Sequence, residues 1–310
     1  MNPALQQRLL RHIRCQVRTK VTLAPYTTFL IGGPAEIFAE PMTTAELTQL
    51  IRLIREEQAA YFYLGLGSNL LISDEGFNGV VIRARDELEK IERRSDDVVE
   101  AGPSAKLLRL TTYVAVRELA GIEALSGIPG SVGGGLYMNA GAYGGEISDT
   151  LVDIDVITPE NKKVTLQKEE IGFAYRSAPR LQDMIILHSR YRLHHGEKQN
   201  IFSEMRRVWR LRREKQPLDF PSAGSMFKRP PGYFAGKLIE DVGGKGLRVG
   251  GAMVSPKHAG FFVNAGGATA ADVATLVREI RRRVYEQFHV LLENEVKPIG
   301  FPEDPFAITV

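Results

Sequence analysis

The glycines of this chain are unevenly spread, and their clustering limits what it can fold into. There are 30 in 310 residues, above the ~7% of an average protein. They gather at Gly65–Gly67, Gly127–Gly145, Gly243–Gly251 and Gly266–Gly267. Glycine weakens the interior of a helix or strand, so each cluster marks a sharp turn or a close approach to the backbone. The longest run, GIPGSVGGGLYMNAGAYGGE, holds Gly127, Gly130 and Gly133 together with Ile128, Pro129 and Ser131. Two readings stand on composition alone. Successive N–H groups with no Cβ atoms around them can converge on an anion, Ser131 adding a hydroxyl donor. Alternatively, the run is a tight crossover in a β-rich protein that needs positive φ angles. A second loop, Gly65-Leu66-Gly67-Ser68-Asn69, could act as its partner from another domain.

Between the clusters, apolar spacing switches between helical and extended. Leu5, Leu9 and Ile13 share one helical face. Residues 26–41 mix β-formers with a Gly-Gly-Pro turn and predict a hairpin. Thr43 and Glu46 have capping-box spacing ahead of a helix whose Leu47, Leu50, Ile51 and Ile54 form one face. Ser104 is expected to cap a helix that stops at Gly121. Residues 151–166 read as a hairpin turning at Pro159–Asn161, and 290–300 as a closing strand. Thr269 and Asp272 should open the last long helix, with Val273, Leu276, Val277, Ile280 and Val284 as its core stripe. This mixture predicts an α+β protein rather than a doubly wound sheet. At 310 residues the chain is too long for one typical core. The expected division is 1–80, 81–205 and 206–300, with 301–310 as a C-terminal tail.

Charge and cysteine usage remove several function classes. Lys and Arg number 40 against 37 Asp and Glu, a net charge of +3 scattered along the chain. A nucleic-acid binder would concentrate that charge in a patch, so no such partner is expected. One cysteine, Cys15, excludes an internal disulfide and any multi-cysteine metal centre. His194 and His195 would face opposite sides of a strand, poor geometry for a metal, and none is expected. No run approaches the ~20 apolar residues of a membrane span, and the start, MNPALQQRLLRHIRCQV, lacks a signal peptide's apolar core. A cytoplasmic protein without a membrane partner is expected. There is no G-x-x-x-x-G-K-[ST], and GLGSNL has Leu70 where a dinucleotide fingerprint would place its third glycine.

Three side chains are suited to chemistry. Arg176 follows Tyr175 in FAYRSAPR and could hold a carboxylate through two parallel hydrogen bonds, or form a surface ion pair. Ser225, in SAGSMFKRPP, lies beside Gly224 with Lys228 and Arg229 just behind. Its hydroxyl can donate a proton if nearby cations stabilise the conjugate base, although most turn serines do no chemistry. Glu295, in LLENEVKPIG, shares a face of the expected strand with Lys297 and is either partnered or simply exposed.

Six segments in order resemble the UDP-N-acetylenolpyruvoylglucosamine reductase family. They are TTFLIGGPAEIFAEP, GLGSNLLISDEGFNGVVI, SGIPGSVGGGLYMNAGAYGGEISD, FAYRSAPR, SAGSMFKRPPGYFAGKLIEDVGGKGLRVGGAMVSPKHAGFFVN and LENEVKPIG. The resemblance implies a two-part FAD-binding unit of the vanillyl-alcohol-oxidase type and a third, α+β substrate-binding domain, with non-covalent FAD. It implies that Gly65, Gly67, Ser68, Asn69 and Leu70, with Gly127, Ile128, Pro129, Gly130, Ser131 and Gly133, wrap the FAD pyrophosphate. Asn139, Ala140, Gly141 and Tyr143 would line the flavin side. NADPH would be the reductant and UDP-N-acetylglucosamine-enolpyruvate the substrate, giving UDP-N-acetylmuramate for peptidoglycan; a monomer is expected. The family's catalytic positions fall on Arg176, Ser225 and Glu295. Tyr175, Arg212, Lys228 and Arg229 would contact substrate, Arg212 and Lys228 at its diphosphate. Longer members carry Asn where this chain has Arg229, and RPPGYFAGKLI resembles the shorter class. Two other readings are an FAD oxidase of the same fold acting on an alcohol, and a flavin or sugar-nucleotide binding module without turnover. An acid serine argues against the first, since alcohol oxidation calls for a base. Three polar groups on separate segments argue against the second.

Overall fold

The computed structural model describes residues 3–309; residues 1, 2 and 310, at the outer edges of the first and last expected stretches, lie outside them. The chain forms two compact units. Residues up to Arg18, Ile37–Leu66 and Val80–Arg212 make the first; Thr19–Glu36, Gly67–Gly79 and Arg213 onward make the second. Two pieces of the expected first stretch therefore belong with the C-terminal third. The expected boundary at 205 falls instead after Arg212, within the helix Lys198–Lys215. No helix among the described residues is long and apolar enough to cross a membrane.

In the first unit, the helix Thr44–Glu56 begins where the sequence predicts. The Thr43 hydroxyl accepts the Glu46 N–H at 3.1 Å, satisfying a donor that a helix start leaves unpaired. Leu47, Leu50, Ile51 and Ile54 are its buried face and pack with Ile37, Val80 and Ile82. Within 26–41 only Pro34–Glu40 is strand, and its sheet neighbours are Gln16–Thr22 and Phe77–Ile82 rather than a hairpin partner. The helix Leu107–Ala115 also departs from expectation. Ser104 does not cap it, because its hydroxyl is engaged with the Tyr63 phenol at 2.8 Å. The helix ends before Glu118, whose φ of 59° turns the chain into the short strand Leu119–Ala120 ahead of Gly121. A five-stranded antiparallel sheet runs in the order Lys163–Gln167, Leu151–Ile157, Ile185–Arg192, Val98–Ala101, Ile91–Arg93. It contains the predicted 151–166 hairpin, with Ile157 opposite Lys163 and Asn161 (φ 61°) in the turn. Ile154, Val156 and Tyr191 of this sheet share a core with Leu110 and Leu136.

In the second unit, the sheet order is Ser222–Ser225, Phe261–Asn264, Ala252–Val254, Arg248–Val249, all antiparallel. The helix Ala270–Phe288 packs on it. Thr269 and Asp272 form the predicted capping box, and Val273, Leu276, Val277, Ile280 and Val284 are fully buried with Phe29, Leu71 and Phe262. The same helix start is held from a distant part of the chain. The Asp74 carboxylate accepts the N–H groups of Ala270 and Ala271 at 2.8 and 3.0 Å, an anion at the positive end of a helix. The expected closing strand is only Lys297–Ile299, parallel to Leu70–Ile72, because residues 293–295 pair elsewhere. The expected tail is packed: Phe306 is fully buried, and Arg278 and Arg281 donate to the carbonyls of Pro305 and Phe306.

Candidate functional site

Ser225 owes its setting to one inserted residue. Ser222 lies opposite Val263 and Ser225 opposite Phe261, three steps on one strand against two on the other. That is a β-bulge, a device that re-aims a side chain. Gly224 provides the conformation, with φ 82° and open space where a Cβ would stand. Beyond the bulge, the Met226 N–H donates to the Gly260 carbonyl, while residues 226–228 pair on their other side with 293–295. The Lys228 N–H donates to the Glu293 carbonyl and the Glu295 N–H to the Met226 carbonyl, both at 2.9 Å. The Glu295 carbonyl also accepts from the Asn69 side-chain amide at 3.1 Å, and the Lys297 N–H donates to the Asn69 carbonyl at 3.0 Å. Asn69, Ser225 and Glu295 are thus brought together by bonds to main chain. The Lys228 ammonium pairs with the Glu293 carboxylate. The Arg229 guanidinium lies 4.0 Å from the Phe234 ring centre. Lys228, Arg229 and Glu293 line a cleft of about 260 Å³ with Tyr233 and Leu291.

In the first unit, Arg176 stands on a two-residue corner. Ala174 and Ser177 exchange both N–H···O bonds, at 3.0 and 3.1 Å, leaving Tyr175 and Arg176 between them. Arg176 has φ 54°, a conformation that a turn usually gives to glycine or asparagine and that costs an ordinary residue ~1–2 kcal/mol. Its Nη2 donates to the Gly141 carbonyl at 2.8 Å, and its guanidinium lies 5.1 Å from the ring centre of Tyr175, which is half exposed. Gly141 belongs to a second tight hairpin, Gly141–Ala142 against Gly145–Glu146, with Tyr143 (φ 53°) and Gly144 (φ 95°) at its corner. Two successive positive φ angles are those of a type I′ turn. Asn139, buried just before it, donates through Nδ2 to Glu146 Oε2 at 2.7 Å and to the Ala174 carbonyl at 3.3 Å.

Gly127, Tyr143 and Arg212 also meet. Arg212 donates to the Gly127 carbonyl, and a Cβ on Gly127 would stand 2.8 Å from Val208 and 3.8 Å from the Tyr143 ring. Burial pushes the Arg212 guanidinium below its ordinary range and the Tyr143 phenol above its own, and each opposes the other's shift.

The two glycine loops differ in what they leave open. In the run expected to cradle an anion, the N–H groups of Gly130, Val132 and Gly133 donate to the carbonyls of Ile128, Ala105 and Pro103, and that of Gly134 to the Ser131 hydroxyl. Those donors are spent inside the protein, which corrects the convergent-donor reading for them. Ile128 and Ala140 likewise donate to the carbonyls of Leu125 and Gly135, and Pro129 is exposed. By contrast, no backbone hydrogen bond among the described residues uses the N–H groups of Gly65, Leu66, Gly67 or Ser68. Gly67 is required there: φ is 61°, and a Cβ would stand 2.4 Å from the Tyr26 carbonyl oxygen. A Cβ on Gly65 would stand 2.3 Å from the Ser131 hydroxyl; Gly65 and Ser131 belong to the first unit, whereas Gly67, Ser68 and Asn69 belong to the second. Leu70, beyond the loop, is in the strand paired with Lys297.

Open N–H donors suit a phosphate-bearing group. In the first unit, Ser126 Oγ, Asn139 Oδ1 and Thr150 Oγ1 are buried with no partner among the described residues; a ligand's polar edge would satisfy such atoms where it reaches them. The residues present therefore fit a dinucleotide cofactor. No group of three or more His, Cys, Asp or Glu able to hold a metal occurs among the described residues. Sequence reasoning missed Glu146, whose link to Asn139 has no local signature, and the Asn69 bond that holds Glu295.

Comparison with known proteins bears on both units. Residues 216–299 match the family described as the C-terminal domain of UDP-N-acetylenolpyruvoylglucosamine reductase, and residues 35–167 match an FAD binding domain. A UDP-N-acetylenolpyruvoylglucosamine reductase of Caldanaerobacter subterraneus subsp. tengcongensis is 44% identical over 276 residues, 89% of this chain and 91% of that one. The protein of the same name from Lachnoclostridium phytofermentans is 41% identical over 310 residues, 98% of this chain and 100% of that one. A crystal structure of UDP-N-acetylenolpyruvylglucosamine reductase from Thermus caldophilus superposes with a TM-score of 0.79 at 38% identity, covering 92% of this chain and 99% of that chain.

Proposed function

The chain belongs to the UDP-N-acetylenolpyruvoylglucosamine reductase family, and we propose that it uses NADPH to reduce the enolpyruvyl group of UDP-N-acetylglucosamine-enolpyruvate, yielding UDP-N-acetylmuramate for peptidoglycan. It is an oxidoreductase with an FAD-binding domain. The observation that carries the substrate reading is the bulged Ser225 set beside Glu295 on paired segments. Such a pair offers a proton donor and a carboxyl group to an alkene under reduction.

The net reaction adds a hydride to C3 and a proton to C2 of the enolpyruvyl double bond, and NADPH leaves as NADP. The chemistry that FAD supplies when bound is relay of that hydride. Gly65, Leu66, Gly67 and Ser68 would hold its pyrophosphate through their open N–H groups, and Asn139 would face its ring system. As C3 takes the hydride, negative charge builds on C2 and the attached carboxylate. Arg176, planar and always charged, grips that carboxylate by two parallel hydrogen bonds, with Tyr175 flanking the substrate. Glu295, acting as an acid, donates a hydrogen bond to the enolate-like group, and Ser225 Oγ delivers the proton to C2. Lys228 and Arg229, lining the second unit's cleft, hold the sugar nucleotide, Lys228 at its diphosphate. Arg212, which anchors Gly127, would be a further contact to the diphosphate.

The test is spectroscopic. The purified protein should be yellow, acid precipitation should release all its flavin, and anaerobic NADPH should bleach it. Adding the enolpyruvyl sugar nucleotide should then restore the colour. A colourless protein that FAD cannot reconstitute would sink the reading.

A further inference from the structure

Arg176 is held where it is by a bond it does not make itself. Its corner is closed by Ala174 and Ser177, and the Ala174 carbonyl accepts from Asn139 Nδ2 at 3.3 Å. The same nitrogen donates to Glu146 Oε2 at 2.7 Å. A carboxylate and a carbonyl can only accept, so the amide's orientation is fixed chemically: both of its hydrogens are committed, one to each partner. Asn139 is 2% exposed, with φ 39°, a left-handed setting that asparagine tolerates better than other non-glycine residues. Glu146 is itself fixed. Its residue pairs with Gly141 across the tight hairpin, its N–H donates to Asp149 Oδ2 at 2.7 Å, and its side chain passes so near Gly141 that a Cβ there would stand 2.7 Å from Cγ. Bonds from Asn139 to the Ala174 carbonyl and from Arg176 to the Gly141 carbonyl therefore tie the corner 174–177 to the hairpin 139–146.

We propose that Asn139 is the positioning residue of the Arg176 corner and that Glu146 aims its amide. Arg176 occupies a strained φ that persists only where the surroundings over-determine it. Remove the amide, and the Ala174 carbonyl loses its tie while the corner can relax. The catalytic consequence rests on the function proposed above; the structural consequence does not.

The experiment uses the FAD-loaded enzyme and the variants Asn139→Ala, Asn139→Asp and Glu146→Gln, in two readouts. Hydrogen exchange reports the corner directly: both Asn139 variants should speed exchange of the amides in 174–177 by up to about tenfold, the scale of one lost hydrogen bond. Peptides covering 222–228 should be unchanged. Asn139→Asp matters because it keeps the shape while replacing the donor with a charge facing Glu146 and a carbonyl. Glu146→Gln should behave as the parent, since a glutamine oxygen accepts the same hydrogen. In stopped flow, the Asn139 variants should slow reoxidation of the reduced enzyme by the enolpyruvyl sugar nucleotide, again by about tenfold, and by more than they slow reduction by NADPH. Parental exchange at 174–177 in both Asn139 variants, or equal slowing of both half-reactions, would overturn the proposal. Parental exchange at 174–177 in a Glu146→Ala variant, which lacks the acceptor, would remove Glu146 from it. If the parental enzyme itself is not reoxidised by this substrate, the proposed function fails, and exchange at 174–177 still decides the role of Asn139.

Discussion

Ser225 and Glu295 on one side, and Arg176 on the other, are held by opposite means. The first two sit on segments joined by main-chain bonds, Met226 to Gly260, Glu295 to Met226 and Lys228 to Glu293, with Asn69 closing the set. Such bonds are indifferent to side-chain identity, so replacing Ser225 removes little besides its hydroxyl. Arg176 occupies a corner whose backbone disfavours it, secured by its own bond to Gly141 and by Asn139. Glycine would suit that corner better. The proposed role of Arg176 would account for an arginine where the backbone prefers glycine.

The comparison can be broken most directly at Ser225. Ser225→Ala should slow reoxidation by the enolpyruvyl sugar nucleotide by ~10²–10⁴-fold, the usual scale of general acid catalysis, while NADPH reduction and the melting temperature hold. Ser225→Cys should keep part of the activity, because a thiol can also donate a proton. Reoxidation of Ser225→Ala at the parental rate would pass the role to Glu295 or a bound water. Arg176→Lys comes next. It keeps the charge but loses the planar fork, and the same half-reaction should fall by about 10- to 100-fold, the worth of one charge-assisted hydrogen bond. Equal loss in both half-reactions would make Arg176 structural. The smallest effect sharpens the contrast in stability. At 176, glycine should be more stable than alanine by about 1 kcal/mol, since only glycine takes that φ freely. At 225, in a strand, alanine should be more stable than glycine by roughly 0.5–1 kcal/mol. Chemical denaturation of the four variants would show it, and the same order at both positions would erase the distinction.

What was legible in the sequence had its partners close by. Thr43 with Glu46 and Thr269 with Asp272 are local pairs, and the helices they start bury the faces their spacing predicts. The misreadings involve distant partners. Ser104 has the chemistry of a cap, but Tyr63 claims its hydroxyl. Glu295 reads as mid-strand, but Met226 and Asn69 hold its backbone outside the ladder. The glycine runs marked where backbone comes close without saying to what. In one the neighbour is the protein's own Pro103 and Ala105; in the other the donors stay open. Arg176, Ser225 and Glu295 were singled out by residue chemistry, but only the family resemblance assigned them roles. No periodicity could have joined Asn139 to Glu146 and Ala174, because that link exists only once two hairpins are folded.

The second unit is assembled from pieces made at very different times. Asp74 and the Ala270 N–H that it accepts are 196 residues apart. A ribosome adding ~5–20 residues per second needs roughly 10–40 s to cover that interval. Throughout it, Phe29 and Leu71, fully buried in the finished protein, have no core to enter. The first unit, complete at Arg212, can close while its neighbour still waits for the stretch that follows. The nascent chain is therefore the stage at which this protein is most open to aggregation and to capture by chaperones. A translational pause just after Arg212 should lengthen that stage and lower the soluble yield without altering a single residue.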